Sequence, residues 1–274
     1  MEEYMRKAAL LLCAALLLLV FACSENDDPT DIMGYSLDQF VTSTAIHDSV
    51  DANDEDGLDF RGLFSYEIVS GTDGFSPRAS VNAGYDLPWN TFRQGYFVPS
   101  DNNRTWFPNS NLPGAFKVTQ AGFFRLYRTI EVDNGLRGTK DVELRGLSTH
   151  TIPNWNSEDE DAIKLSDLLQ GIAAYDSVMF TAADDYSRTY IPDHVNDGYY
   201  LLTSEVTTFP TFNASMTGGQ KKFKKLATIT VYGATSDSGH SFDLAPQNKA
   251  DMIITIPASM NGFDPTVMEG KSRY

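Results

Sequence analysis

The residues with the means to do chemistry are scattered along the chain. The four histidines are His47, His150, His194 and His240. None stands in HxH or HExxH, and no pair has the spacing that seats zinc on one helix. Each is expected to be an ordinary surface or satisfied histidine. Ser49–Asp59 reads SVDANDEDGLD. Oxygen ligands on alternate positions ahead of a glycine suit Ca2+. With Gly57 as the loop glycine, Asp54 and Asp56 fall correctly, but Ala52 stands where the first Asp belongs and Leu63 where the closing Glu belongs. A solvated acidic loop is therefore expected, with Ca2+ at 51–59 as its alternative. Ser157–Asp161 has no turn glycine and reads as a charged loop ahead of a helix. There is no G-x-S-x-G, Walker or G-x-G-x-x-G run. Carboxylates abound, but no pair stands out for glycoside hydrolysis. No catalytic residue and no metal ligand is nominated.

Tyr85–Pro113 has an unusual composition: YDLPWNTFRQGYFVPSDNNRTWFPNSNLP. Trp89, Phe92, Tyr96, Trp106 and Phe107 are mixed with Asn, Arg and Pro. Aromatic surfaces beside amides suit stacking on sugars or gripping a small ligand. Trp89, Tyr96 and Trp106 are the candidate binding residues. The alternative is a long loop pinned to the core by its own aromatics.

Cysteine usage is the sharpest constraint. The chain has two, Cys13 and Cys23. Arg6 and Lys7 precede Ala8–Phe21, an uninterrupted apolar run shorter than the ~20 residues a membrane-spanning helix needs. The run closes on Val20-Phe21-Ala22-Cys23. This resembles the bacterial lipobox, in which an aliphatic residue, a small residue and then a lipid-bearing cysteine end a signal peptide. The resemblance implies cleavage after residue 22, which removes Cys13, and acylation of Cys23. Two acyl chains on the glycerol hold a protein far more firmly than one. The polar, acidic Ser24–Asp28 resembles the export tags of surface lipoproteins of Bacteroidetes-type bacteria. It implies a bacterial outer-membrane, lipid-anchored location, open to exposure at the cell surface. The folded part keeps no thiol, which excludes a disulfide, a cysteine nucleophile, an iron–sulfur cluster and thiolate metal ligation.

The net charge of −16 lies outside the signal, where Glu2 and Glu3 cancel Arg6 and Lys7. An acidic surface argues against nucleic acid and against adhesion to anionic lipid. With 42% hydrophobic and 12% aromatic residues a packed core is feasible. The length suits one large domain or two of about 100–120 residues.

Two halves of the sequence repeat a pattern. Phe124–Val132 aligns without gaps on Phe223–Val231, sharing Phe, Thr, Ile and Val on an alternating strand pattern. Thr72–Ser76 resembles Ala183–Ser187, Gln94–Val98 resembles Asp197–Leu201, and Ser36–Val41 resembles Lys164–Leu169, in the same order. Helices are expected over about 36–46 and 165–173, and an opening strand for the second half over Asp141–Leu147. Part of Tyr85–Pro113 reads as an insertion in the first half. A final strand at Met252–Ile256 lies outside both halves and is placed in the first unit's sheet.

Val142–Leu147, Leu165–Leu169, Val178–Ser187 and Ile229–Val231 together resemble the oxidoreductase molybdopterin-binding domain of the sulfite-oxidase type. That family runs a strand, an LxDLL helix, a strand into a DGYS-like turn and a late aliphatic strand. The likeness covers about 140–232, and 36–132 more faintly. Molybdenum in that family is held by a pterin dithiolene and a protein cysteine. With no cysteine left, the resemblance carries the fold and none of the site, so molybdopterin is not expected.

The expected fold class is α+β and strand-rich: two related units, each with a short helix and a mixed or antiparallel β-sheet. The expected divisions are a signal peptide over 1–22, a tether over 23–33, units over 34–136 and 137–234, and an extension over 235–274. The expected function is a non-catalytic binding or scaffolding role at the cell envelope. Its partners would be the membrane, through the lipid on Cys23, and a glycan, a small ligand or another envelope protein. The rivals are an oxidoreductase-like protein with atypical cofactor ligation and a carbohydrate-binding surface lipoprotein.

Overall fold

A computed structural model describes residues 32–42, 46, 60–80, 86–108, 111–135, 138–169, 171–234, 236–237 and 250–268. The expected export signal, Cys23 and the expected acidic Ca2+-like segment 51–59 lie outside them. The first unit contains β1 (Met33–Ser36), β2 (Phe64–Ser70), β3 (Leu87–Pro88), β4 (Tyr96–Val98), β5 (Arg104–Trp106) and the long β6 (Ala121–Asp133). The second contains β7 (Thr139–Glu143), β8 (Thr149–Pro153), β9 (Asp159–Lys164), β10 (Ile172–Ala174), β11 (Ser177–Ala182), β12 (Ser187–Tyr190), β13 (Tyr199–Leu201), β14 (Val206–Thr208), β15 (Leu226–Tyr232) and β16 (Ser236–Asp237). The chain closes with β17 (Met252–Thr255) and β18 (Pro265–Val267). The helices described from end to end are short: α1 (Pro77–Ser80), α2 (Trp89–Phe92), α3 (Leu165–Leu168), α4 (Pro192–Asp197) and α5 (Gly218–Lys221). The fold is α+β and strand-rich, with mixed and antiparallel sheets.

A central sheet runs β12-β11-β15-β6-β2-β3, and β7 and β17 also pair with β6. Among the described residues only β6 and β15 run parallel. Two four-stranded sheets, β18-β1-β4-β5 and β14-β13-β9-β8, complete the two units, and β10 pairs with β16. The final strand joins the first unit as expected: β17 lies antiparallel on β6, with Met252 opposite Leu126, and Ile256 enters the first core.

The halves share topology down to single hydrogen bonds. Ser36 faces Tyr96 and Lys164 faces Tyr199. The next amides, Leu37 and Leu165, donate to Gly95 O (2.9 Å) and Gly198 O (3.0 Å). A Cβ on Gly95 would come within 2.4 Å of Phe107 and one on Gly198 within 2.5 Å of Leu165, so only glycine fits. Asp73 and Asp184 each accept from the amide two residues on, at 3.0 and 3.1 Å, forming matched turns. Buried Thr105 accepts from the Val118 amide and donates to Phe116 O; buried Thr207 does the same with the Phe223 amide and Lys221 O.

These matches revise the sequence alignment. Tyr66 pairs with Leu126, and its counterpart Val178 pairs with Val231. Phe124 therefore corresponds to Ile229, and Phe223 corresponds to Val118. The gapless alignment is displaced by about six residues along the strand. An even slip leaves the alternation of inward and outward side chains unchanged, so the period-2 signal does not detect it. Residues 86–107 match 189–209 with one extra residue between β4 and β5, so this part of the aromatic segment is otherwise not an insertion. The expected helix over 165–173 shrinks to the turn Leu165–Leu168. In the first unit Leu37–Phe40 forms a helical turn, residues 43–45 lie outside the described residues, and Ile46 is again helical. Leu37, Phe40 and Val41 are buried, as are Leu165, Leu168 and Leu169. In the second unit the chain then turns straight into β10. The opening strand of that unit ends at Glu143. Asp159–Asp161 is strand rather than loop, with buried Glu160 accepting from the Thr203 and Ser204 amides at 2.8 and 2.7 Å.

Among the described residues two large apolar cores form, with two smaller clusters beside them. Phe124 and Leu126 belong to the first, and Ile130, Val132 and Val142 to the second. One alternating face of β6 thus feeds both cores. The change from the first core to the second falls inside β6, between Leu126 and Ile130.

Candidate functional site

The other face of β6 carries Arg125, Tyr127, Thr129 and Glu131. Its antiparallel neighbours set Glu67 opposite Arg125, Glu143 opposite Thr129, and Asp141 opposite Glu131. Five acidic groups gather on or over this face: Glu67, Asp86, Glu143, Asp141 and Glu131. Arg78 answers the middle of the run. It grips Glu143 with two hydrogen bonds, 2.9 and 2.8 Å, also pairs with Asp86, and lies 4.1 Å above the Tyr127 ring. Glu67 accepts from Ser76, from Tyr127 (2.7 Å) and from Arg125. Burial pushes the Asp86 carboxyl up to about 8, and its contact with Glu143 adds to this while Arg78 opposes it. Burial and the bond to Glu67 push the Tyr127 hydroxyl up.

This network holds Asp86, and Asp86 leads into Leu87, Pro88 and α2. Phe92 fixes that turn by stacking on Tyr66 (4.4 Å) and meeting Phe124 edge-on (5.1 Å). Trp89 is thereby placed at the wall of a cavity of about 130 Å³ beside the seam between the units. Asn90, Thr129, Glu131, Asp141 and Thr228 also line it. Burial raises Glu131, with Asp141 and Asp133 adding to the rise; burial raises Asp141, with Glu143 adding. Among the described residues neither carboxylate has a hydrogen bond or an ion-pair partner, and no basic side chain lines the cavity.

The three tryptophans differ in what their indole N–H does. Trp106 donates to Asp101 at 2.8 Å and Trp155 to Thr207 O at 3.1 Å. Trp89 has no hydrogen bond among the described residues. Trp89 is 8% exposed, with the Arg61 guanidinium 4.5 Å above its ring and Tyr66 and Phe92 against it. With these groups packed on its rings, it is not a stacking surface.

Of the residues singled out from sequence, Trp89 alone reaches the cavity. Tyr96 faces Trp106 across the β4–β5 ladder, and both pack with Val98 and Met268 in a separate cluster. Trp106 is 9% exposed. The segment is pinned by its aromatics rather than displaying them. His150 meets Tyr199 edge-on, and His194 packs against Phe212; His47 and His240 lie outside the described residues. Among the described residues no group of three or more His, Cys, Asp or Glu is placed to hold a metal ion. Sequence reading missed Glu131 and Asp141. Their signal was Glu131-Val132-Asp133 mirrored by Asp141-Val142-Glu143 around Gly135 and Gly138, which a hairpin sets face to face.

Comparison with family models, with curated proteins and with solved structures finds no match to this chain.

Proposed function

We propose that the chain is a lipid-anchored protein of the bacterial cell envelope with a non-catalytic binding role, and that the cavity at Trp89 is its ligand seat. The observation that carries the binding role is the cavity itself, lined by Trp89, Asn90, Thr129, Glu131, Asp141 and Thr228 beside the seam between the units. A few polar side chains beside an aromatic in a concave site are what ligand sites present. The lipid on Cys23 would hold the protein at the outer membrane, with the acidic tether favouring exposure at the cell surface. Duplication of one ancestral unit accounts for the matched turns, threonines and glycines. A sulfite-oxidase-type activity gains no support, because no thiolate is available for molybdenum. A stacked-sugar site gains none either, because the Trp89 faces are taken.

The test has two arms. Metabolic labelling with an alkyne fatty acid should mark the wild-type protein and not Cys23→Ser, and the variant should leave the membrane fraction. An unlabelled wild type would sink the anchor. A small-molecule panel read by the Trp89 signal should contain compounds that perturb it alone; a panel that never does so would sink the seat.

A further inference from the structure

Three carboxylates and two guanidiniums meet where the two units adjoin on β6. There β2 reaches Phe64 opposite Arg128, and β7 ends at Glu143 opposite Thr129. Glu67 comes from β2, Asp86 from the residue ahead of β3, and Glu143 from β7. Their side chains are 3%, 7% and 19% exposed. Arg78 of α1 is 8% exposed, and Arg125 of β6, 3.4 Å from Glu67, is 34% exposed. With all five groups ionised, three negative charges face two positive ones. A buried charge without a counter-charge is costly, and a single proton removes it.

The hydrogen bonds decide which carboxyl takes that proton. Arg78 forks both oxygens of Glu143. Both oxygens of Glu67 are answered, Oε1 by Ser76 and Oε2 by Tyr127 and Arg125. Asp86 Oδ2 accepts from Arg78 and, at 3.4 Å, from Ser65. Asp86 Oδ1 is buried and has no hydrogen-bond partner. Asp86 also contacts Glu143, and two carboxyls in contact hold one proton between them.

We infer that Arg78, Asp86 and Glu143 form a proton-dependent clasp: a proton held between Asp86 and Glu143 fastens α1 and β3 of the first unit to β7 of the second, and its release loosens this segment while the rest of the seam stays shut. The segment is the part to yield, because β3 pairs with β2 through only Leu87 and Pro88. The rest of the seam rests on Arg128, which bonds to Glu205, Leu226 O and Tyr200 and keeps its charge at every pH concerned. The groups facing Asp86 are Arg78 from α1, Glu67 from β2, Tyr127 from β6 and Glu143 from β7. Burial raises the Asp86 carboxyl, with Glu143 and Glu67 adding and Arg78 opposing. Tyr127 is raised as well, so its hydroxyl stays protonated throughout.

The experiment follows hydrogen exchange of the full-length chain in detergent micelles between pH 5 and pH 9, with rates corrected for intrinsic exchange. A carboxyl that titrates near 8 when clasped and near 3.8 when free should cost up to about tenfold in protection per pH unit, levelling off above pH 8. The loss should appear at Leu87 and at Arg93, whose amide donates to Trp89 O at 3.0 Å, while the β11–β15 ladder keeps its protection. Asp86→Asn and Glu143→Gln each balance the charges without the extra proton, so in each the pH dependence at Leu87 and Arg93 should vanish. Wild-type protection there that is indifferent to pH would overturn the clasp, and that series decides the matter even if a variant fails to fold. A loss of equal size in β11–β15 would overturn it too, as general unfolding. A pH dependence that survives in either variant would assign the proton elsewhere and overturn it likewise.

Discussion

Arg128 Nε donates to Glu205 Oε1 at 2.9 Å where the two units meet. Strand alternation gives Arg128 an inward position between Leu126 of the first core and Ile130 of the second. A guanidinium is tolerated there because its other donors are answered by Leu63 O, Leu226 O and Tyr200 Oη. Its backbone amide donates to Asp251, just ahead of β17. One residue thus ties together the first unit, the second unit and the closing segment.

Arg128→Met should therefore cost about 3–5 kcal/mol in urea unfolding at neutral pH, because it leaves Glu205 buried and unanswered. The double variant with Glu205→Gln should cost less than Arg128→Met alone. A loss under about 1 kcal/mol for the single variant would remove Arg128 from this role.

Asp86 should make stability depend on pH. Its folded carboxyl lies near 8, above the ordinary 3.8. The sign follows: the native state holds the proton more tightly, so this contribution is complete below about pH 4 and is lost as pH rises through 8. Arg78, Glu143, Glu67 and Tyr127 surround it. Asp86→Asn should lose less stability than wild type between pH 5 and pH 9 in melting temperature. Equal losses would show that Asp86 is not the titrating group.

The class of fold was legible because Phe124, Leu126, Ile229 and Val231 alternate as half-buried strands do, and because Asp73 and Asp184 sit in turns with a recognisable chemistry. The register between halves was not legible, since an even displacement preserves every inward position. The site was half legible. Trp89 was visible by type, but that Arg61 covers its ring has no mark in the sequence. Glu131 and Asp141 were assigned to different units, so their meeting across one hairpin was hidden by a boundary drawn through it.

The matched threonines allow the equivalence of the units to be measured. Thr105→Val and Thr207→Val each remove a hydroxyl that serves one buried amide and one carbonyl. Each should cost about 1–3 kcal/mol, with the two losses similar. Hydrogen exchange should quicken at Val118 in the first variant and at Phe223 in the second. A loss confined to one of them would mean that the shared geometry is not shared energetics.

The closing segment should matter to one unit and not the other. Deleting 250–274 removes the ladder from β17 to Phe123–Leu126 and takes Ile256 from the first core. Exchange protection should fall across β2 and the first half of β6, while the β11–β15 ladder keeps its own. Uniform loss of protection in both units would show that they unfold together.

Glu131→Gln should stabilise the unliganded protein, by about 0.2–1 kcal/mol, because it removes one of two like charges standing opposite each other. Both carboxyls are raised above their ordinary values. In wild type their favourable contribution is therefore present in acid and fades as pH rises and both ionise. The gain from Glu131→Gln should accordingly be absent in acid and appear on passing to neutral pH, in paired urea titrations. A gain already present at low pH would point to packing rather than charge.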